Sequence, residues 1–402
     1  MVISPGRLGL RGANREQILR TILREGPLAR VNLAQHVGLT TAAITNITRD
    51  LIGDGLLYEV GTARGGRVGA NAILLDVPEE KLVLGVVHQG VSALRVALCT
   101  LRGRVLARKS IATSGPYAPE WAIATIVQTL KHLLSTNGYT ESSLVGVGAG
   151  LVGLIDAPQG IVKRAPRLGW ENIVFKSMLE QQCGCPVAIE NNVRAMALGE
   201  ALLGAGRGWS DFAFVYIGTG IGSGLIIDGR PYRGAYGGAG ELGHITVDPM
   251  GTLCSCGNYG CLETIAAEPA LVEQIHLHSL DALICEGSSA ECRGNTKDMV
   301  QSLAHLAING NADAQEIVAY CGEYAGIALA NLVNVLNPNR IVLHGAITEA
   351  GELFFAPVAQ SLRKRAFFSE TVDIVAPTFG ADAGIVGAAA VALDALILTQ
   401  RA

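Results

Sequence analysis

The sequence predicts an α/β protein in two parts: an N-terminal winged helix-turn-helix domain, then a larger body of two α/β lobes. Three observations predict it. Charge is lopsided: residues 1–75 hold nine arginines and five acids, a balance of +4, and the whole 402-residue chain carries −4, so the remainder carries −8. A basic head on an acidic body suggests that the head meets something anionic. Apolar residues in that head recur at helical spacing in short runs broken by glycine. From Lys81 onward, strand-like and helix-like segments alternate around a glycine-rich turn, which implies α/β lobes with a cleft between them. A composition of 49% apolar and 16% charged residues with 50 glycines suits a large core with many tight turns and excludes a disordered chain.

The head is read as three helices and a wing. NREQILRTILRE, residues 14–25, spaces Ile18, Leu19, Ile22 and Leu23 as one helical face, and Gly26-Pro27 stops it. ARVNLAQHVGL is a short second helix turned by Gly38, and TTAAITNITRDLIGDGLL is a third, capped by Thr40 or Thr41, with Ile44, Ile47, Leu51 and Ile52 inward. Its outward residues, Thr41, Ala42, Thr45, Asn46 and Arg49, are the candidates to enter a DNA major groove. LLYEVGTARGGRVGANAILL reads as two strands around a loop, and Arg64, Gly66 and Arg67 at its tip would reach phosphates or the minor groove. The competing reading of this head is a three-helix protein-interaction module.

In the body, LVLGVVHQGVSALRVALCTLRGRVLARKSIAT reads as consecutive strands. A helix is expected near 119–136, a strand near LVGVGAGLVGLID, and another in CPVAIENN running into the helix VRAMALGEALLG. FAFVYIGTGIGSGLIIDGRPYRG reads as strand, glycine turn Gly218–Gly224, strand. Bare amides in such a turn can cradle phosphate, but no Gly-Lys-Ser/Thr closes a Walker loop and no helix follows as in a dinucleotide fold. Gly384–Leu398 is apolar but contains Asp394 and is short for a membrane span, so it reads as a buried helix. The N-terminus lacks the apolar run of a signal peptide, so a cytoplasmic location without membrane insertion is expected.

IGTGIGSGLIIDGRPYRGAYGGAGELGH, the following CSCGNYGCLE, the ENN at 190–192 and GADAGIVGAAA at 380–390 together resemble the signature of the ROK family (repressors, open reading frames, kinases). With the winged head, the resemblance covers nearly the whole chain and points to the repressor branch. It implies an actin-like, hexokinase-type fold of two lobes. The expected boundaries are 1–80 for the head, 81–194 with 383–402 for the first lobe, and 195–382 for the second.

His244, Cys254, Cys256 and Cys261 pose a choice between a disulfide, a redox pair and a metal. Nine cysteines is an odd number for a complete disulfide framework, and no CxxC lies here. A His/Cys3 set is one that closed, structural tetrahedral zinc takes, and in the family the matching positions bind zinc. One Zn2+ per chain is expected, the alternative being free buried thiols. Cys99, Cys183, Cys185, Cys285, Cys292 and Cys321 are expected to be ordinary, with Cys183-Gly184-Cys185 packed in a turn.

The resemblance further implies that Glu241, His244, Glu263 and Asn191 hydrogen-bond sugar hydroxyls, with Asn192 beside them. Family kinases end the motif as Glu-Asn-Asp, and that Asp takes the proton from the sugar hydroxyl. Here Asn192 stands in its place, and an amide cannot act as a general base. The kinases' Asp-x-Gly-Gly-Thr phosphate motif is degraded to LGVVHQGVSAL, with Val87 or His88 at the Asp position and only Gly90 of its glycines. A glycine pair near the nucleotide is His344-Gly345. The expectation is therefore a DNA-binding repressor without enzymatic activity, released from a palindromic operator by a sugar or sugar phosphate and acting as a homodimer or tetramer. Two alternatives are control by a sugar-transporter protein, and an active sugar kinase with a DNA-binding head. The basic run Arg363-Lys364-Arg365 is expected to be a solvated helix face.

Overall fold

The computed structural model describes residues 9–63, 72–285, 295–368 and 372–399. Its contacts divide the chain into two compact units, Met1–Asn192 with Ile385–Ala402, and Val193–Gly384. Each is built on a five-stranded sheet of the same plan: a three-stranded antiparallel meander, extended by two parallel strands beside its first strand.

In the first unit the meander is Val83–Gln89, Ala93–Cys99 and Val105–Ala112, and Leu144–Leu151 and Val187–Asn191 complete the sheet. Every residue of the central Val83–Gln89 is buried, as a strand covered on both faces requires. The edge strand Val105–Ala112 turns Arg108 and Lys109 to solvent, which discourages edge-to-edge pairing with another chain. The helix Pro119–Thr136, opened by its proline and Glu120, buries Ile123, Ile126, Leu130 and Leu134 in this core.

The C-terminal helix Ala383–Leu393 and its π turn Asp394–Leu398 approach the glycines of LVGVGAGL. A Cβ on Gly148 would strike the Ala388 carbonyl, and one on Gly146 would meet the Pro186 oxygen at 2.7 Å and the Leu396 side chain at 2.5 Å. Glycine lets the helix touch the strand backbone. Gly380–Leu398 has the length and composition to cross a membrane, yet 72% of its most apolar window is buried inside the protein. LVGVGAGLVGLID is two strands rather than one, because the chain turns at Gly153 (φ +100°). The second, Leu154–Asp156, starts a small antiparallel sheet with Ile161–Ala165 and Trp170–Ile173.

Residues of the expected head lie in this first unit. Helices Leu10–Glu25, Arg30–Val37 and Thr41–Gly53 bury Ile18, Leu19, Ile22, Leu33, Ile44 and Leu51. An antiparallel sheet orders Leu28–Ala29, Ala72–Asp76 and Tyr58–Ala63. The first helix begins four residues before the expected 14, where Arg11 pairs with Asp50 of the third helix. Arg102, in the turn after Ala93–Cys99, donates to the carbonyls of Ile22 (3.0 Å) and Leu23 (3.1 Å) and pairs with Asp76 (2.5 Å) and Glu79 (2.9 Å). Arg15 donates to the Ile397 carbonyl at 3.2 Å, and Arg20 pairs with Asp394 at 3.0 Å.

In the second unit the meander is Phe212–Ile217, Ile221–Ile227 and Arg230–Tyr232, extended by Arg340–Gly345 and Asp373–Val375. The long helix Ala312–Leu336 starts at Asn311, whose side chain accepts from the Ala314 N–H at 2.9 Å, and ends at left-handed Asn337. It packs on Glu352–Arg365 through Gly326, where a Cβ would meet the Ser361 Cβ and the Val358 oxygen at 2.5 Å each. Arg363, Lys364 and Arg365 are exposed at that helix's C-terminal end, where cations are favoured.

Candidate functional site

The loop from His244 to Glu263 is folded by its own backbone. Val247 N–H donates to the Gly260 carbonyl at 2.8 Å, Cys254 N–H to Asn258 at 2.7 Å, and Leu262 N–H to Ile245 at 3.0 Å. Gly257 (φ +92°) and Gly260 (φ +65°) supply left-handed turns, and a Cβ on Gly260 would overlap the Asp248 carbonyl. The result brings one ligand atom each from His244, Cys254, Cys256 and Cys261 within 4.8 Å of one another. His244 Nδ1 is 3.7 Å from Cys254 Sγ, and Cys256 Sγ is 3.7 Å from Cys261 Sγ. Two sulfurs at tetrahedral angles on one zinc would stand about 3.8 Å apart. Burial, with the two neighbouring sulfurs, holds the Cys261 thiol above its ordinary value, and a bound cation would reverse that. The cluster can hold a metal ion.

The far nitrogen of His244, Nε2, faces Glu263 Oε2 at 3.6 Å. Glu263 opens the short helix Glu263–Ala266 beside Gly220, where a Cβ would come within 3.0 Å of Glu263 Oε1. Glu241 is exposed immediately before the turn Leu242–His244. Its loop is pinned from beneath: the Gly240 carbonyl accepts from Ser223 N–H (2.7 Å) and Oγ (2.9 Å), and buried Arg194 donates to Gly237 (2.9 Å) and Ala239 (3.4 Å). The sequence reading missed Arg194. Its signal was a cation set inside the apolar helix VRAMALGEALL, where burial demands partners.

Asn191 ends the strand Val187–Asn191 and donates from Nδ2 to the Gly153 carbonyl at 3.0 Å. Its N–H donates to buried Glu190 at 2.9 Å, and Asn192 opens the helix Asn192–Leu203. Asn191 and Asn192 thus close the first unit, and Glu241, His244 and Glu263 belong to the second.

The glycine turn is shorter than expected. Only Gly218-Thr219-Gly220 turns; Gly222 and Gly224 lie in the strand Ile221–Ile227. A Cβ on Gly224 would meet the Ala197 Cβ at 2.5 Å and the Val193 carbonyl at 2.8 Å, so this glycine serves helix-on-sheet packing. The turn is also engaged by an acid the sequence reading missed. Buried Glu268 donates its N–H to the Gly218 carbonyl at 2.8 Å, and its Oε2 accepts from Thr219 (3.3 Å) and Thr296 (2.9 Å). Burial raises its carboxyl above the ordinary value, opposed by those hydroxyls.

Val87 and His88 are both buried in Val83–Gln89. Burial, with Arg95 second, lowers the His88 imidazole to about 3, so it is neutral. His344 lies against the rings of Phe214 and Tyr216, and burial, then Lys297, lowers it to about 4. A Cβ on Gly345 would strike the Ile217 carbonyl, so the neighbouring strand accounts for that glycine.

On the third helix, Thr41, Ala42, Thr45, Asn46 and Arg49 are all exposed, and their spacing places them on one face. Thr40 is the cap, its side chain accepting from Ala43 N–H at 3.3 Å. Arg64, Gly66 and Arg67 lie outside the described residues, as does Cys292.

Two lobes of one sheet plan, with a Cys-rich loop in the second, define an actin-like α/β body behind a three-helix head. The chain belongs to the ROK family, whose model matches residues 84–395. It is 32% identical over 368 residues to a putative xylose repressor of Caldicellulosiruptor sp. strain Rt8B.4, covering 89% of each chain. The crystal structure of a ROK family transcriptional regulator, a homolog of the E. coli MLC protein, matches with a TM-score of 0.81 and 28% identity over 97% of each chain. A ROK family glucokinase from Streptomyces griseus, solved with glucose and AMPPNP, matches with a TM-score of 0.64 and 29% identity, over 76% of this chain but 98% of its own. Regulators therefore match this chain nearly end to end, and the glucokinase leaves part of it without a counterpart.

Proposed function

We propose that this protein is a sugar-responsive, DNA-binding transcriptional repressor whose body senses a sugar without phosphorylating it. The observation that carries the reading is the exposed polar face Thr41, Ala42, Thr45, Asn46 and Arg49 on a head joined to a kinase-like body whose Glu-Asn motif ends in Asn192. The head acts as a helix-turn-helix: the third helix enters the major groove, and Arg64, Gly66 and Arg67 are its candidates for phosphate or minor-groove contact. Two heads of a homodimer, or of a tetramer built from it, meet a palindromic operator.

His244, Cys254, Cys256 and Cys261 hold one structural Zn2+ per chain, and a closed four-ligand set supplies stability rather than catalysis. Glu241, His244, Glu263, Asn191 and Asn192 meet the sugar hydroxyls, with Arg194 positioning the Glu241 loop. An amide at 192 takes no proton from a hydroxyl, and the Glu268 carboxylate at the Gly218–Gly220 turn opposes a nucleotide phosphate. Sugar and operator oppose each other through one coupling free energy, so each weakens the other equally.

A thermal-shift screen of the zinc-loaded protein against xylose, other neutral sugars, amino sugars and their phosphates tests this. A stabilising sugar that also releases operator DNA, and that Glu241→Ala no longer recognises, supports the reading. Silence across the panel from a protein that still binds DNA would shift the signal to a protein partner.

A further inference from the structure

Cys183 is the last residue of the helix Phe175–Cys183, and Cys185 stands two residues before the strand Val187–Asn191. Between them Gly184 takes the left-handed conformation (φ +68°) and reverses the chain. The reversal brings the two sulfurs to 3.3 Å, with the Cys185 thiol donating to Cys183 Sγ. The turn is held on both sides: the Pro186 carbonyl accepts from Val147 N–H at 2.9 Å, and Glu180 Oε1 accepts from Val187 N–H at 3.0 Å. Both sulfur-bearing residues are half-buried, within reach of a small reagent, whereas Cys99 and Cys321 are sealed in the core. Among the described residues the His244 cluster is the only group of three or more metal-ligating side chains, so the Cys183–Cys185 pair has no third ligand.

We propose that Cys183 and Cys185 form a redox-active dithiol that exchanges with low-molecular-weight disulfides. The Cys183 thiolate attacks one sulfur of the small disulfide, the S–S bond breaks, and one small thiolate leaves and takes up the proton Cys183 gave up. Cys185 then attacks Cys183 Sγ in the mixed disulfide. The intramolecular S–S bond forms, and the second small thiol departs with the Cys185 proton. Two electrons leave the protein and reduce one disulfide to two thiols.

The direction of attack follows from the hydrogen bond. Donation from Cys185 lowers the Cys183 thiol to about 7, although burial and Glu180 oppose it. The same bond, with burial, raises Cys185, and Glu180 and Glu141 add to that. A thiol near neutrality is the better attacking group at physiological pH. This site stands independently of the DNA and sugar readings.

The test incubates the zinc-loaded full-length protein with oxidised glutathione, quenches with acid and weighs the peptide spanning both cysteines. The expected result is a peptide lighter by two hydrogens, restored by dithiothreitol. Cys185→Ser should trap one glutathione on Cys183, and Cys183→Ser should capture it at Cys185 on the order of tenfold more slowly. Equal or faster capture at Cys185 overturns the assignment of the attacking sulfur. If a serine variant fails to fold, the wild type in graded glutathione buffers decides. An internal disulfide that rises and falls with the ratio supports the proposal. A peptide that stays reduced throughout, or that retains a metal, overturns it.

Discussion

His244 presents its two ring nitrogens to two different neighbours: Nδ1 stands 3.7 Å from Cys254 Sγ, and Nε2 stands 3.6 Å from Glu263 Oε2. Metal-ligating histidines are commonly oriented in this way, by a carboxylate on the nitrogen the metal does not use. The sulfur cluster and the polar face of the loop therefore share one ring. Removal of the proposed zinc, or Cys261→Ser, should release that ring. The expected outcome is a fall in Tm on the order of 10 °C together with loss of the sugar-induced shift. Metal analysis and calorimetry on the same sample check it, and an apoprotein with unchanged Tm and sugar response would refute it.

Arg194 carries the Glu241 loop through two backbone carbonyls. Arg194→Met keeps much of the side chain's volume and removes both bonds. Charged hydrogen bonds contribute roughly 1.5–3 kcal/mol each, and one bond's worth of that anchoring lost at the sugar lowers affinity roughly tenfold to a hundredfold. Operator affinity without sugar should stay within about twofold, since the head is untouched. Calorimetric titration and fluorescence anisotropy separate the two effects.

On the proposed DNA-binding reading, the exposed face of the third helix divides into two roles. Asn46→Ala should cost about 1–3 kcal/mol of operator binding and relax specificity at the base it reads. Arg49→Ala should weaken all sequences alike and flatten the salt dependence. Both variants should keep the wild-type sugar-induced thermal shift. Anisotropy titrations at several salt concentrations distinguish base contact from phosphate contact.

His88 and His344 stay neutral in the fold because burial lowers them to about 3 and about 4. Unfolded, each takes up a proton near its ordinary 6.5. The unfolded chain therefore binds more protons as pH falls below that value. Their contribution is full above pH 6.5 and is lost on acidification, His344's loss ending near 4 and His88's near 3. The slope is up to roughly 1.4 kcal/mol per pH unit for each. Urea unfolding across pH 4–7 should give a shallower slope for His88→Leu than for the wild type.

On the proposed reading the nucleotide half of a kinase apparatus is altered at two places: His88 is buried and neutral, and Glu268 hydrogen-bonds to the Gly218–Gly220 turn. Sugar-dependent ADP release should be absent from the wild type and from Asn192→Asp, because restoring one carboxylate leaves the phosphate side unchanged. Turnover in Asn192→Asp would show that Asn192 alone had silenced the site.

The sequence by itself determined the elements whose cause is local. Helical spacing set Ile18, Leu19, Ile22, Ile44, Ile47 and Leu51, and the strand-to-helix run CPVAIENN into VRAMALGEALLG appears as Val187–Asn191 followed by Asn192–Leu203. The His/Cys3 spacing was also legible, because the loop folds on its own short-range turns. Tertiary structure alone decided what depends on distant partners. Gly222 and Gly224 read as phosphate-turn glycines until the Asn192–Leu203 helix was seen against their strand. The partners of Arg194, Arg102 and Glu268 could not be read locally, since they lie 23 to 80 residues away. The contact between Cys183 and Cys185 shows the same limit at short range: the spacing was visible, but only the left-handed Gly184 brings the sulfurs to 3.3 Å. Periodicity reports which face of an element is apolar; long-range contact decides what that face meets, and chain connectivity places no side chain across that distance.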